Sequence, residues 1–191
     1  DLFKPDPNAV VYNDRMAFVG RLSPEKNLFN LIKAIAGLPY TLDLYYQDDS
    51  LRDELQALAD RVKSNVRFMG TVRNAELPAV LTRYPLFVLP SLYEGMPKVL
   101  LEAMSCGVPV LGTDVQGINA IITHGVTGWL AEGVDSGSLR EGITVMMSER
   151  SLREKMGTAA RSYIKDKFSL MRIVDEETAI YSELQGVPYA V

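Results

Sequence analysis

Cysteine is nearly absent from this chain. The one present, Cys106, cannot form an internal disulfide, which fits a reducing compartment. Histidine is as scarce. His124 stands alone before Gly125 in a turn-like stretch, with neither a metal-binding pair nor a nucleophile beside it, and reads as structural. Long apolar runs are missing too: nothing approaches the ~18–20 residues of a membrane span, and no signal peptide is visible. An excess of one charge is also lacking. Twenty basic residues against 24 acidic ones leave a formal charge of −4, which gives no electrostatic footprint for nucleic acid. Internal repeats and low-complexity tracts are absent.

What is there is 191 residues with 47 % hydrophobic content, enough for one sizeable domain with its own core. The chain starts at Asp1 rather than Met, which reads as a piece of a longer polypeptide. Residues 1–14 are polar, carry Pro5 and Pro7, and read as a linker or a frayed terminus. Short apolar runs at 16–20, 41–46, 66–70, 86–89 and 110–112 read as strands, with a last short strand near 129. Between them, helical spacing marks stretches starting at Pro24, at Asp49 (to 63), at Ala75 (to 83) and at Pro97. A loop with a short helix is expected over 114–122, and helices over 138–149, 151–167 and 169–184. Strands alternating with helices predict an α/β fold: a single Rossmann-like domain with a parallel sheet covered by helices on both faces.

The most telling stretch is 90–104. Pro90 ends a buried strand, Gly95 frees the backbone, and Pro97 suits the first position of a helix. Such a strand–loop–helix start aims unpaired N–H groups at the carboxyl edge of the sheet, a ready anion site. Val99, Leu100, Leu101, Ala103 and Met104 share one face of the helix, and Lys98, Glu102 and Ser105 the other. Lys98 sits in the first turn, where the helix dipole disfavours a cation unless an anion is bound. Glu94 lies just before the helix and Glu102 about 7.5 Å along its axis. The spacing equally fits an ordinary i,i+4 Lys98–Glu102 pair on a solvated face and a loop acid at 94.

A second start of this kind follows strand 16–20. Ser23 suits an N-cap, Pro24 the first helical position, and Arg21 and Lys26 flank them. Two cations there make sense around an anion, or as two solvated surface charges. His124 and the adjacent acids Asp48-Asp49 offer no convincing metal site.

Pro90-Ser91 through Glu94-Gly95, then Glu102-Ala103-Met104 and Cys106-Gly107-Val108-Pro109-Val110, resembles the signature of the retaining GT-B glycosyltransferases of group 1. Its mark is two glutamates separated by seven residues. The resemblance runs over nearly the whole chain and includes Gly20-Arg21-Leu22 with Lys26. It implies the C-terminal, donor-binding half of a GT-B fold. Residues 1–14 would then link to a missing N-terminal domain, 15–167 would form the nucleotide-sugar-binding unit, and a helix in 168–191 would cross back to the partner domain. Ile173, Val174 and Ile180 would then be partly exposed here.

The implied reaction is glycosyl transfer from a nucleoside-diphosphate sugar, with retention, to an acceptor held by the N-terminal domain. The resemblance gives catalytic roles to Glu94, Arg21 and Lys26. It gives substrate contacts to Gly95, Met96, Pro97, Lys98, Val99 and Glu102, with Val72 and Arg73 beside the base. It implies no metal or other cofactor, a cytoplasmic location, no nucleic-acid partner, and room for peripheral membrane contact through the missing half. Two departures stand out. Tyr46-Gln47-Asp48-Asp49 replaces a usual Gly-x-Gly, and Ala120 replaces a glutamate after Gly117. They keep open a non-catalytic nucleotide-sugar-binding module. A GT-B-like sugar-nucleotide epimerase is a further alternative, against which the lone histidine argues.

Overall fold

Apolar runs too short for helices make the strands, and their burial shows covering on both sides. β4 (Phe87–Leu89) and β5 (Val110–Thr113) are buried at every position, and β1 (Arg15–Val19) at its three central ones, as expected inside a parallel sheet. With β2 (Thr41–Tyr45), β3 (Asn65–Gly70) and β6 (Trp129–Ala131) they form one six-stranded, all-parallel sheet in the order β3-β2-β1-β4-β5-β6. The structure, a computed structural model, describes residues 2–168 and 170–185. The strand order reverses between β1 and β4, where the loops leaving the two carboxyl ends diverge and open a crevice.

Seven α-helices are present among the described residues: α1 (Leu28–Ala34), α2 (Arg52–Val62), α3 (Leu77–Leu81), α4 (Lys98–Ser105), α5 (Ser136–Ser148), α6 (Arg150–Lys167) and α7 (Leu170–Gln185). α1 packs on α2 and α5, and α4 on α3 and α6. α4 turns Leu100, Ala103 and Met104 into the core and leaves Lys98 exposed, as the 3.6-residue period dictates. Val174 and Ile180 on α7 are exposed; the side chain of Ile173 and residues 169 and 186–191 lie outside the described residues.

Three local expectations are corrected. The helix expected to start at Pro24 is broken. Pro24–Lys26 is a single 3-10 turn, Asn27 follows in the left-handed region (φ 56°), and α1 starts only at Leu28. Asparagine tolerates this conformation, and its buried side chain holds it there: Nδ2 donates to Pro90 O at 3.0 Å and to Val134 O at 2.7 Å. Pro97 is the N-cap of α4 rather than its first residue. The 114–122 stretch forms no regular helix, only turns held by bonds such as Asn119 N–H to Val115 O (3.0 Å).

The interior also holds a carboxyl group. Asp43, in the middle of β2, is fully buried; it accepts a hydrogen bond from Tyr84 Oη at 2.7 Å and lies 3.7 Å from both Arg15 Nη1 and Arg67 Nε. Burial and the neighbouring Tyr45 and Asp43 push the Tyr84 hydroxyl's pKa up, so it stays a proton donor.

Asn27→Ala is expected to lower stability by about 2–4 kcal/mol, since the buried Pro90 carbonyl loses its side-chain donor, Val134 O keeps only Asn30 Nδ2, and alanine resists positive φ. Asn27→Gly should lose less, because glycine accepts that φ freely. Urea denaturation of both variants tests the order; equal losses would contradict it.

Candidate active site

A cavity of about 390 Å³ opens at the carboxyl ends of β1 and β4. Its walls come from the two loops that leave those strands and from the start of α4. Eight of the residues singled out in the sequence border it: Arg21, Lys26, Glu94, Met96, Pro97, Lys98, Val99 and Glu102. Val19, Gly20 and Leu77 complete the wall; Gly20 was marked in the sequence only as part of the Gly20-Arg21-Leu22 resemblance, and nothing marked Val19 or Leu77. Gly95, Val72 and Arg73 are not among the wall residues. Val72 packs on the core, and Arg73 is exposed and ion-paired with Glu76.

Only one of the two expected helix starts survives. Arg21 and Lys26 stand on a loop and a three-residue 3-10 turn, because the left-handed Asn27 ends that turn before α1 begins. α4 does present its start to the cavity: no side chain caps it, no acid lies in its first turn, and Lys98 is its first residue. Its leading N–H groups therefore point at the cavity unpaired.

Two of the cavity's cations are already paired. Lys26 Nζ donates to Glu94 Oε1 at 2.6 Å, and Ser91 Oγ donates to the same oxygen at 2.7 Å. Ser91 is buried and its carbonyl accepts from Thr113 Oγ1, so the anchor of Glu94 is itself fixed by β5. Arg21 pairs with Glu25 at 3.1 Å, and Ser23 Oγ donates to Glu25 Oε1 at 2.6 Å. That hydroxyl chiefly holds the Glu25 carboxyl below its ordinary pKa. The i,i+4 spacing of Arg21 and Glu25 was visible in the sequence, but their pairing was not anticipated.

Glu102 lies half-buried on α4, one turn past Lys98. Burial pushes its carboxyl pKa up, opposed by a hydrogen bond from Asn74 and by the field of Lys98. Gly117 supports the Glu94 loop from below. Gly117 has φ +88°, and a Cβ there would lie 2.2 Å from Glu94 O; the Glu94 N–H in turn donates to Gln116 O at 3.2 Å. Only glycine leaves room for that approach.

The departures noted in the sequence lie outside the cavity. Tyr46 is buried edge-on against Phe68, with ring centroids 6.0 Å apart. Asp48 Oδ1 accepts the Ser50 N–H at 2.9 Å, which closes a local turn. Ala120 is exposed in the 114–122 turns. His124 sits in the turn before β6, 4.6 Å from the Trp129 ring, and Leu130 N–H donates to its Nδ1 at 3.1 Å. Cys106 borders a separate cavity of about 320 Å³ at the amino ends of the strands, and burial pushes its thiol up to about 11, which makes it a poor nucleophile.

The family model for glycosyl transferases group 1 matches residues 4–163, most of the chain. The chain belongs to that family. It is 29 % identical over 173 residues to the alpha-D-kanosaminyltransferase of Streptomyces kanamyceticus, covering 87 % of this chain and 45 % of that one. It superposes on sucrose-phosphate synthase from Thermosynechococcus elongatus with a TM-score of 0.88 (24 % identity, 97 % of this chain, 50 % of the other). It superposes on Anabaena HepE, solved with UDP and glucose, with a TM-score of 0.83 (22 % identity, 95 % and 54 %). These likenesses show the shared GT-B domain fold. The chain spans about half the length of such relatives.

The raised carboxyl of Glu102 has a signed consequence. Its protonated form is the one the fold favours, so its contribution is fully present below the ordinary value of 4.5 and is lost as pH rises through the raised one. The stability of the chain relative to Glu102→Gln is therefore expected to fall between pH 4.5 and neutrality. Denaturant midpoints of both proteins across that range test it; parallel curves would refute it.

Proposed function

We propose that this chain is the donor-binding half of a retaining glycosyltransferase. It takes a nucleoside-diphosphate sugar, and the acceptor is held by an N-terminal domain beyond this chain. The observation that carries the reading is the single cavity at the β1/β4 switch point, which gathers three cations, one uncapped helix start and two carboxylates. Its volume falls in the range of small-molecule sites. The UDP and glucose bound to HepE support a nucleotide-sugar ligand. Residues 2–14, and α7 with its exposed Val174, Ile180 and Tyr181, suit the connection and the contact surface to the other half. The single buried Cys106 supports a reducing, cytoplasmic setting. No helix among the described residues is long and apolar enough to cross a membrane.

In this reading the diphosphate lies between Arg21, Lys26, Lys98 and the first N–H groups of α4. Glu102, as a carboxylate, accepts both ribose hydroxyls, and Glu94 accepts hydroxyls of the transferred sugar. The bond from the anomeric carbon to the diphosphate oxygen breaks. Positive charge develops on the sugar ring and negative charge on the leaving diphosphate, where the fixed cations stabilise it. These side chains and N–H groups stabilise the leaving group without an assigned metal or other cofactor. Retention of configuration rests on the two-glutamate motif. The two departures that favoured a non-catalytic module do not border the cavity, and His124, the acid–base group an epimerase would call on, is remote from it.

Calorimetric titration with UDP-glucose, GDP-mannose and ADP-glucose tests the reading. At least one should bind, and Glu102→Ala should weaken it about tenfold or more, the loss of charge-assisted hydrogen bonds to one diol. The chain alone should bind without transferring sugar. Failure of all three donors to bind, or robust turnover by this chain alone, would overturn it.

A further inference from the structure

Two cations of the cavity wall, Arg21 and Lys26, are ion-paired, and the two pairs differ in burial. Arg21 and Glu25 are 71 % and 21 % exposed, and such a pair is screened and easily opened. Lys26 and Glu94 are 15 % and 12 % exposed and meet at 2.6 Å. A partly desolvated pair cannot lose one member without leaving the other charge poorly satisfied. If Lys26 turned to a phosphate, Glu94 would keep only the Ser91 hydroxyl on Oε1. A ligand that ends at the diphosphate brings nothing to replace the ammonium. A ligand that carries a sugar brings hydroxyl donors to the same carboxylate.

We infer that the Lys26–Glu94 pair makes Glu94 a specificity-determining residue. It competes with the diphosphate for Lys26 and releases it fully only to a ligand whose sugar hydroxyls take the ammonium's place. The inference rests on the donor-site reading above. No covalent step is involved: one N–H···O contact from Lys26 moves from carboxylate to phosphate, and one or more O–H···O contacts from the sugar replace it. The site therefore favours the nucleotide sugar over the bare nucleoside diphosphate that transfer leaves behind. Once the sugar has gone, Glu94 reclaims Lys26 and weakens the hold on the product.

Calorimetric titration of the chain with UDP and UDP-glucose, or with the GDP or ADP pair if that base is preferred, tests this in Glu94→Gln and Glu25→Gln. Glu94→Gln should tighten the bare diphosphate about tenfold, as expected for freeing one charged hydrogen-bond donor. The nucleotide sugar should gain less or weaken, so the preference for it falls. Glu25→Gln removes the same charge from the exposed pair and should shift the bare diphosphate less than about twofold. Thermal melts check that each variant is folded. If Glu94→Gln does not fold, Glu94→Asp keeps the charge but draws it back from Lys26, and should tighten the bare diphosphate in the same sense. Unchanged or weakened diphosphate binding in the Glu94 variant overturns the inference. Equal tightening by Glu25→Gln does so as well, since it would mean general relief of negative charge. If the unaltered chain binds both ligands and the variants show no such difference, only the exchange falls. If it binds neither, the donor-site reading falls with it.

Discussion

One amide group fixes the distance between the two loops on which the site is built. Asn27 Nδ2 reaches Pro90 O at the end of β4 and Val134 O before α5, and Leu92 N–H donates to Glu25 O at 2.8 Å in the same seam. The loops leaving β1 and β4 diverge by topology, since the strand order reverses between them. Without this seam, Lys26 and Glu94, 68 positions apart in the chain, would have no fixed separation. The left-handed turn at Asn27 is thus more than a break in a helix. It is what turns the Lys26 side chain from a helix surface into the crevice.

Charge placement follows burial. The exposed pairs Arg52–Asp53, Arg73–Glu76 and Arg150–Glu154 are solvated, and pairs of that kind contribute about 0–1 kcal/mol each. The partly buried Lys26–Glu94 pair and the half-buried Glu102 stand where water is scarce and a ligand's polar groups count for more. Asp43 is another matter: fully buried beneath Arg15, Arg67 and Tyr84, it serves the interior of the sheet and not the cavity.

Much of this was legible in the residues. Strand 86–89, the 90–104 stretch and the alternation around them carry strong signals, because apolar period, proline and glycine act locally. Eight cavity residues fell within stretches already marked by charge or by helix-start chemistry. The rest depended on contacts between distant segments. Ser23-Pro24 has every local sign of a helix start, and the buried bonds of Asn27 override it. Pro97 slips one position to the N-cap. Arg73 lies near the end of β3 yet turns to Glu76, and Leu77 takes the wall instead. Gly117 looks like an ordinary loop glycine until the Glu94 backbone is in view. Asp43 sits in a run that reads as an apolar strand, and only the fold reveals the arginines and tyrosine that make its burial tolerable.

All six strands run the same way, so the two rims of the sheet are unlike. Cations and carboxylates gather on the rim where the strands finish. The segment before β1 crosses the other rim, where Pro5, Tyr12 and Asn13 border the second cavity together with Gly107 and Pro109. A tether attached there pulls on the domain across the full length of the strands and not through the loops that hold the charges. A change within residues 2–14 therefore meets the domain at the rim opposite the crevice, and ligand preference at one rim can drift independently of packing at the other.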